Sequence, residues 1–265
     1  MRGLFADNSN KMPGKHRNQR RRSVEADDAS KHVRNALPLW KRGLDFACLI
    51  FAAPALVGLM AGIALLVRLS SRGPVIFRQE RIGLGGKTFN FFKFRTMRHA
   101  AETGSHEAYL KNLIGSDVPM RKLDAEDGRV LRIGVWLRAS GLDELPQVFN
   151  VLRGEMSLVG PRPCIPYEYE RYRPEQRERF QAVPGLTGLW QVSGKNETTF
   201  QEMIDLDIRY ARNLSLRQDV SILFRTFPVL IQQTREALQR KRARKCAIIQ
   251  GPPVRQREVR PLTSV

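Results

Sequence analysis

The chain has three cysteines in 265 residues, Cys48, Cys164 and Cys246. Their wide separation excludes the paired spacing of a zinc site and the even-numbered framework of a disulfide scaffold. A reducing, cytoplasmic setting fits. Acidic residues are scarce: 26 Asp and Glu stand against 45 Lys and Arg, a formal net charge of +19. That excess points to an anionic partner, whether phospholipid headgroups, nucleic acid or phosphorylated substrates. No internal repeat is present, which excludes a repeat architecture. Long apolar runs are rare too: there is one.

That run, Phe46 to Val67, carries no charge. It is long enough for a membrane, since about 20 helical residues span the hydrocarbon core. A core helix of a soluble protein rarely stays apolar on every face for so long. A cleaved signal peptide is disfavoured because the run starts far from Met1 and no small-residue cleavage site follows it. Basic residues flank both ends, Lys41 and Arg42 before, Arg68 and Arg72 after. Each block favours the cytoplasmic side. Pro54 lies inside the run, where it removes a backbone donor and kinks a helix. A helix broken there enters the inner leaflet and leaves on the side it entered. From charge and proline alone, crossing and re-entry stand equal.

Composition divides the chain into four parts. Residues 1–36 are polar, basic and poor in large apolar residues, the pattern of a disordered tail. Residues 37–72 hold the membrane segment, 73–235 the globular part, and 236–265 a basic, proline-containing C-terminal tail. Basic residues beside an anchor are drawn to anionic lipid, by roughly 1 kcal/mol each near the surface. Neither tail interleaves aromatics with its basic residues, which argues against nucleic acid.

GLGGKT, Gly83 to Thr88, imitates a phosphate loop, but Arg81 stands where the first glycine of that motif must be. Strand-like runs flank it, PVIFRQERI before and KTFNFFKF after, so a β-hairpin is expected. Arg78, Arg81, Lys87, Lys93 and Arg95 then follow directly on the membrane segment.

Asp143 and Glu144 open an apolar-periodic stretch, Leu145, Val148, Phe149 and Leu152, closed by Gly154. A short helix with acids in its first turn is expected. Helix capping alone explains such acids. The catalytic reading is that one carboxylate attacks while the other helps to hold a metal. An ionised Asp needs no base to act as a nucleophile. Its obstacle is repulsion from a diphosphate, which a divalent cation and arginines must first offset.

With these residues in view, the chain resembles the bacterial sugar transferases, the monotopic polyprenol-phosphate phosphoglycosyl transferases. The resemblance rests on KRGLDFACLIFAAPALV, GPVIFRQERIGLGGKTFNFFKFRTM, DGRVLRIGVWLRASGLDELPQVFNVLRGEMSLVGPRP and PGLTGLWQVSGKN, in that order, between about Lys41 and Thr234. Family members move a sugar 1-phosphate from a nucleotide diphosphate sugar to polyprenol phosphate, with UMP leaving a UDP-sugar. The resemblance implies a re-entrant anchor broken near Pro54. It implies Asp143 as a nucleophile forming a covalent sugar-phosphoryl intermediate, and Asp143 with Glu144 at a Mg²⁺ site. Arg138 becomes a phosphate contact, and Pro161, Arg162 and Pro163 lie near the nucleotide. Lys93 and Arg95 belong to the Lys-Phe-Arg-Thr-Met motif and are candidate substrate contacts. Two positions depart from the family: Ala53 stands where serine is common before the anchor proline, and Ser140-Gly141-Leu142 replaces Thr-Ser-Leu.

Near the C-terminus Val220, Leu223, Phe224, Phe227, Leu230 and Ile231 recur at helical spacing. They suit either a helix packed on the core or one lying at the membrane surface, aided by Arg217 and Arg225. The expected fold is α+β and mostly helical: a re-entrant helix–break–helix anchor and a small catalytic domain with a β-hairpin. The expected partners are a UDP-sugar, polyprenol phosphate and anionic lipid, without nucleic acid, and a homo-oligomer is compatible. The expected place is the cytoplasmic face of the inner membrane, where surface glycan assembly, such as that of exopolysaccharide, begins. The competing reading is a non-catalytic basic membrane protein that binds anionic lipid or nucleic acid.

Overall fold

A computed structural model describes residues 37–98, 116, 118–120, 128–195 and 197–250, with side chains up to 236 and at 239. The two terminal tails assigned from composition therefore lie mostly outside the described residues. Helix α1 (Leu39–Ser70) contains the whole apolar run, and it is long and apolar enough to cross a membrane. By its hydrogen bonding it is assigned as one helix through Pro54. Pro54 deletes only the N–H that would pair with the Ile50 carbonyl, and the turns on either side persist.

One face of α1 packs on the domain along its length, through Lys41, Asp45, Leu49, Leu56, Met60, Ile63 and Val67. The other faces are bare: Ile50, Phe51, Val57 and Leu65 are among the exposed apolar side chains. Both ends are fastened to the same body. At the start, Lys41 Nζ pairs with Asp219 and donates to Tyr210 Oη (2.9 Å). Asp45 Oδ1 accepts from Ser157 Oγ and the Leu158 N–H, both at 2.9 Å. At the far end, Ile63 and Val67 pack with Phe94 and Leu137. There Arg95 donates to the carbonyls of Ser71 (2.7 Å) and Arg72 (3.0 Å).

The expected hairpin is present. Strands β1 (Ile76–Ile82) and β2 (Thr88–Phe94) pair antiparallel, with Phe77 opposite Lys93 and Arg81 opposite Phe89. A 3₁₀ turn at Leu84–Gly86 joins them, with Gly85 at φ 64° and Gly86 at φ 76°. Only residues without a Cβ take such angles without strain, and this explains the glycine cluster without any phosphate-loop role.

Helix α2 (Arg132–Ser140), a 3₁₀ segment (Leu142–Gln147) and helix α3 (Val148–Arg153) follow. Strand β3 (Ser157–Val159) pairs parallel with β4 (Gly185–Thr187). Between them lie the short α4 (Pro166–Tyr169) and a 3₁₀ turn (Glu175–Gln181). Helix α5 (Phe200–Arg212) starts in a capping box, Thr199 with Glu202. Its stripe Phe200, Met203 and Ile204 joins Ile82, Cys164, Tyr172, Phe180 and Trp190 in one core.

Helix α6 (Leu216–Gln250) runs on past residue 235, where composition placed the start of a tail. Its apolar residues divide between the two readings. Ile222 is buried and Val220, Leu223 and Leu230 are half-buried, while Phe224, Phe227 and Ile231 face outward.

Lys41 and Asp219 are both fully buried. Removing one partner of such a pair strands the other charge, at a cost of about 3–5 kcal/mol. Asp219→Ala is therefore expected to destabilise the protein by that order, measured by denaturant unfolding in detergent. The double change Lys41→Met with Asp219→Leu is expected to recover most of the loss.

Candidate active site

The acidic pair sits on a sharp structural junction. Helix α2 ends at Gly141, whose φ of 74° is left-handed, and the chain re-enters at once as the 3₁₀ segment. Pro146 has no N–H to offer Leu142, so an α-helical bond cannot form there. The tighter i→i+3 pattern takes over, as in Glu144 N–H to the Gly141 carbonyl (3.1 Å). From Val148 the helix is α, and Gly154 closes it at φ 77°. The expected single short helix is thus a 3₁₀ turn followed by an α-helix. Three residues per turn put neighbouring side chains about 120° apart. Asp143 accordingly points inward, at 6% exposure, while Glu144 is half-buried.

The turn packs on β2, and this brings the hairpin cations to it. Lys93 is where the charges meet. Burial, then the nearby Arg81, pull its ammonium down to about 8; Arg138 adds to the fall, while Asp143 and Glu144 pull the other way. These influences identify Lys93, Arg81, Arg138, Asp143 and Glu144 as one electrostatic cluster. The Lys93 ammonium also lies 5.2 Å from the centre of the Phe77 ring across the hairpin. Arg95 is engaged elsewhere, on the end of α1 as described above. Pro54 lies in the exposed middle of α1.

Pro161, Arg162 and Pro163 leave β3 on the side of a second cation group. Arg162 Nη1 meets both carboxylate oxygens of buried Glu168 at 3.2 Å. Burial pushes the Glu168 carboxyl up, but Arg162, Arg81 and Arg179 together hold it below its ordinary value. Arg81 reaches the Pro163 carbonyl (3.2 Å) and Gln79 Oε1 (2.8 Å). Burial first, then Arg162, lower Arg81 to about 10, which leaves it charged at neutral pH. Among the described residues its Nε has no partner. Arg81 thus links the two groups, influencing Lys93 on one side and touching the Pro163 carbonyl on the other.

Three glycines let the loops come this close. A Cβ on Gly160 would lie 2.1 Å from the Val183 carbonyl oxygen, on Gly185 2.0 Å from the Gly160 nitrogen, and on Gly188 2.1 Å from the Gly160 oxygen. The PGLTG stretch therefore presses backbone to backbone against the Pro-Arg-Pro segment. Sequence reasoning named Arg81 only as one of five basic residues that follow the membrane segment, and it missed Glu168, Arg179 and Asp207. One signal was available: Asp207 interrupts the apolar stripe of α5 between Ile204 and Tyr210.

A family model described as bacterial sugar transferase matches residues 36–233. The chain belongs to the bacterial sugar transferase family. It is 41% identical over 206 residues to the UDP-glucose:undecaprenyl-phosphate glucose-1-phosphate transferase of Caulobacter vibrioides, covering 75% of this chain and 72% of that one. It is 39% identical over 192 residues to the exopolysaccharide production protein ExoY of Sinorhizobium fredii (72% and 84%). It is 37% identical over 204 residues to the undecaprenyl-phosphate galactose phosphotransferase of Salmonella typhimurium (73% and 40%). The chain spans less than half the length of several curated relatives that it matches.

The lowered pKa of Lys93 has a definite sign. The ammonium is charged below about pH 8 and neutral above it, so an anion bound there loses an attraction as pH rises. Binding of inorganic diphosphate to the metal-free protein is expected to weaken by about tenfold between pH 7 and 9, the worth of one hydrogen bond to a charged group. Isothermal titration across that range measures it. Lys93→Arg, which keeps its charge, is expected to flatten the dependence.

Proposed function

We propose that this transferase moves a sugar 1-phosphate from a UDP-sugar to a polyprenol phosphate at the cytoplasmic face of the inner membrane. The carrying observation is the Asp143–Glu144 turn, buried against Lys93 and Arg81, on a domain that holds both ends of one apolar helix. The relatives' names supply the substrate classes, and the exopolysaccharide relative suggests surface glycan assembly as the setting.

In the proposed reaction an Asp143 carboxylate oxygen attacks the phosphorus that bears the sugar. A bond forms from that oxygen to phosphorus. The bond from phosphorus to the bridging oxygen breaks, and UMP leaves with that oxygen and its electron pair. Polyprenol phosphate then attacks the same phosphorus through one of its own oxygens. The bond to Asp143 breaks, and the carboxylate is restored. Neither step needs a proton. Lys93, Arg81 and Arg138 offset the charge that the carboxylate must approach, and Arg162 faces the nucleotide end.

Mg²⁺ fits this site in one manner only. Among the described residues no three or more metal-ligating side chains cluster, so a cage made by the protein alone is not on offer. Two carboxylates that share the ion with substrate phosphates and water are the usual arrangement for this cation. Asp143 and Glu144 would hold it. When bound, it neutralises diphosphate charge and stabilises the leaving phosphate.

The anchor is read as re-entrant. Both its ends are tied to one domain and both flanks are basic, so a crossing would carry one basic block to the wrong side. In a cysteine-free background, Leu39→Cys and Arg72→Cys are expected to be equally shielded from an impermeant thiol reagent outside intact cells. Labelling of just one of them would sink re-entry.

The chemistry is tested by incubating the protein with UDP-sugar radiolabelled in the sugar, without lipid acceptor. The label is expected on the protein, to be absent in Asp143→Asn, and to be discharged when polyprenol phosphate is added. Asp143→Asn is expected to bring UMP release to background. Glu144→Gln is expected to slow it, with partial recovery in excess Mg²⁺. An unlabelled protein together with residual turnover in Asp143→Asn would indicate direct attack by the lipid phosphate. Full UDP-sugar turnover without either carboxylate, or no turnover in wild type, would remove the enzymatic reading.

A further inference from the structure

The Pro161-Arg162-Pro163 segment lies outside every helix and strand, yet its backbone is fully held. Two of its residues have no N–H. Four polar groups remain, and each has a partner. The Pro161 carbonyl accepts from the Gly185 N–H (3.0 Å), and the Pro163 carbonyl from Arg81 Nη1 (3.2 Å). Both backbone groups of Arg162 go to one ion pair. Its carbonyl accepts from Arg179 Nη2 (2.8 Å), and its N–H donates to Asp207 Oδ2 (3.3 Å). Arg179 and Asp207 also pair with each other, and both side chains are fully buried. The remaining terminal nitrogen of Arg179 donates to Tyr172 Oη.

This pair is poorly accounted for as a source of stability. Two charges taken out of water lose hydration that their attraction barely recovers, and a buried pair is often replaceable by apolar side chains. Here the cost is higher, because Arg179 Nε and Asp207 Oδ1 have no partner among the described residues. What the pair provides is geometric. A planar guanidinium and a carboxylate grip one residue from both sides of its Cα, with arms reaching from the turn before β4 and from the middle of α5. A residue held at its N–H and its C=O has no freedom to swing its side chain with the loop. Glu168 then sets the guanidinium direction from a third element.

We infer that Arg179 and Asp207 are positioning residues for the transfer: by holding the Arg162 backbone they fix where its guanidinium meets the nucleotide sugar. The inference rests on the reading of Arg162 given under the proposed function. It assigns no substrate contact to the pair itself. A lysine at 179 keeps the charge but lacks the fork that serves Tyr172, the Arg162 carbonyl and Asp207 together. An alanine at 207 removes both the acceptor for the Arg162 N–H and the pairing charge.

The test uses the full chain in detergent with UDP-sugar and polyprenol phosphate. Arg179→Lys is expected to raise the KM for UDP-sugar about tenfold, the worth of one hydrogen bond to a charged group, with the KM for the lipid unchanged. The double variant Arg162→Gln with Arg179→Lys is expected to be no worse than Arg162→Gln alone, because both act through one guanidinium. Amide hydrogen exchange in the peptide containing Arg162 is expected to speed up in Arg179→Lys and in Asp207→Ala, whichever of the two folds. A fall in kcat with both KM values unchanged marks a smaller folded fraction and overturns the inference. Additive effects in the double variant overturn it too. Unchanged exchange in the folded variants disproves the grip itself. Faster exchange with an unaltered KM in Arg162→Gln instead disproves the role of Arg162, and the inference falls with it.

Discussion

Two carboxylates in one half-buried turn repel each other and any phosphate brought to them. At 4 Å two like charges cost about 4 kcal/mol at an effective dielectric of 20. Much of the domain is arranged around that constraint. The 3₁₀ turn splays Asp143 from Glu144. The hairpin delivers Lys93 and Arg81, and α2 delivers Arg138 from its last turn. Glycines 160, 185 and 188 let the Pro-Arg-Pro segment pack backbone to backbone on the PGLTG stretch, and Arg81 links that segment to the hairpin cations. The acidic pair is thus walled by cations.

The cations that make the wall also have to be kept apart, and the protein does this with acids of its own. Glu168 pairs with Arg162 and also offsets the charge of Arg81 and Arg179, and Asp207 stands against Arg179. Cys164, in the midst of this group, is pushed by burial to about 12 and takes no part as a thiolate. The result is a scaffold of buried ion pairs whose value lies in fixing directions, since buried pairs add little to stability.

The anchor is part of the same body. Lys41, Arg42 and Asp45 reach into the domain from the first turns of α1, Arg42 through the carbonyls of Val151 and Leu152. Those carbonyls belong to the last turn of α3, the helix that continues from the acidic turn. The apolar helix and the acidic turn are therefore joined by a few residues of rigid helix. Outward-facing Trp136, Phe224 and Phe227, on α2 and α6, add apolar surface to the outside of this body.

Much of this was legible in the chain itself. The apolar run, the hairpin around GLGGKT and the acidic pair follow from local rules: hydrophobic length, strand alternation, and the chemistry of glycine, proline and carboxylate. Local rules act over a few residues, so they carry no information on which of the 45 basic side chains meets which acid. Lys93 and Arg95 look alike in sequence, both basic and two residues apart. The strand ends between them, at Phe94, so alternation governs Lys93 alone, and Arg95 turns to the end of α1. Pro54 likewise announces a kink, but the helix runs on through it, and what ties its first turn to the domain is Lys41 finding Asp219, 178 positions away. Asp207 and Arg179 carry no motif at all. Their pairing with each other and with the backbone of Arg162 arises only when α5 packs on the turn before β4, because burial of both charges is tolerable only where each finds the other.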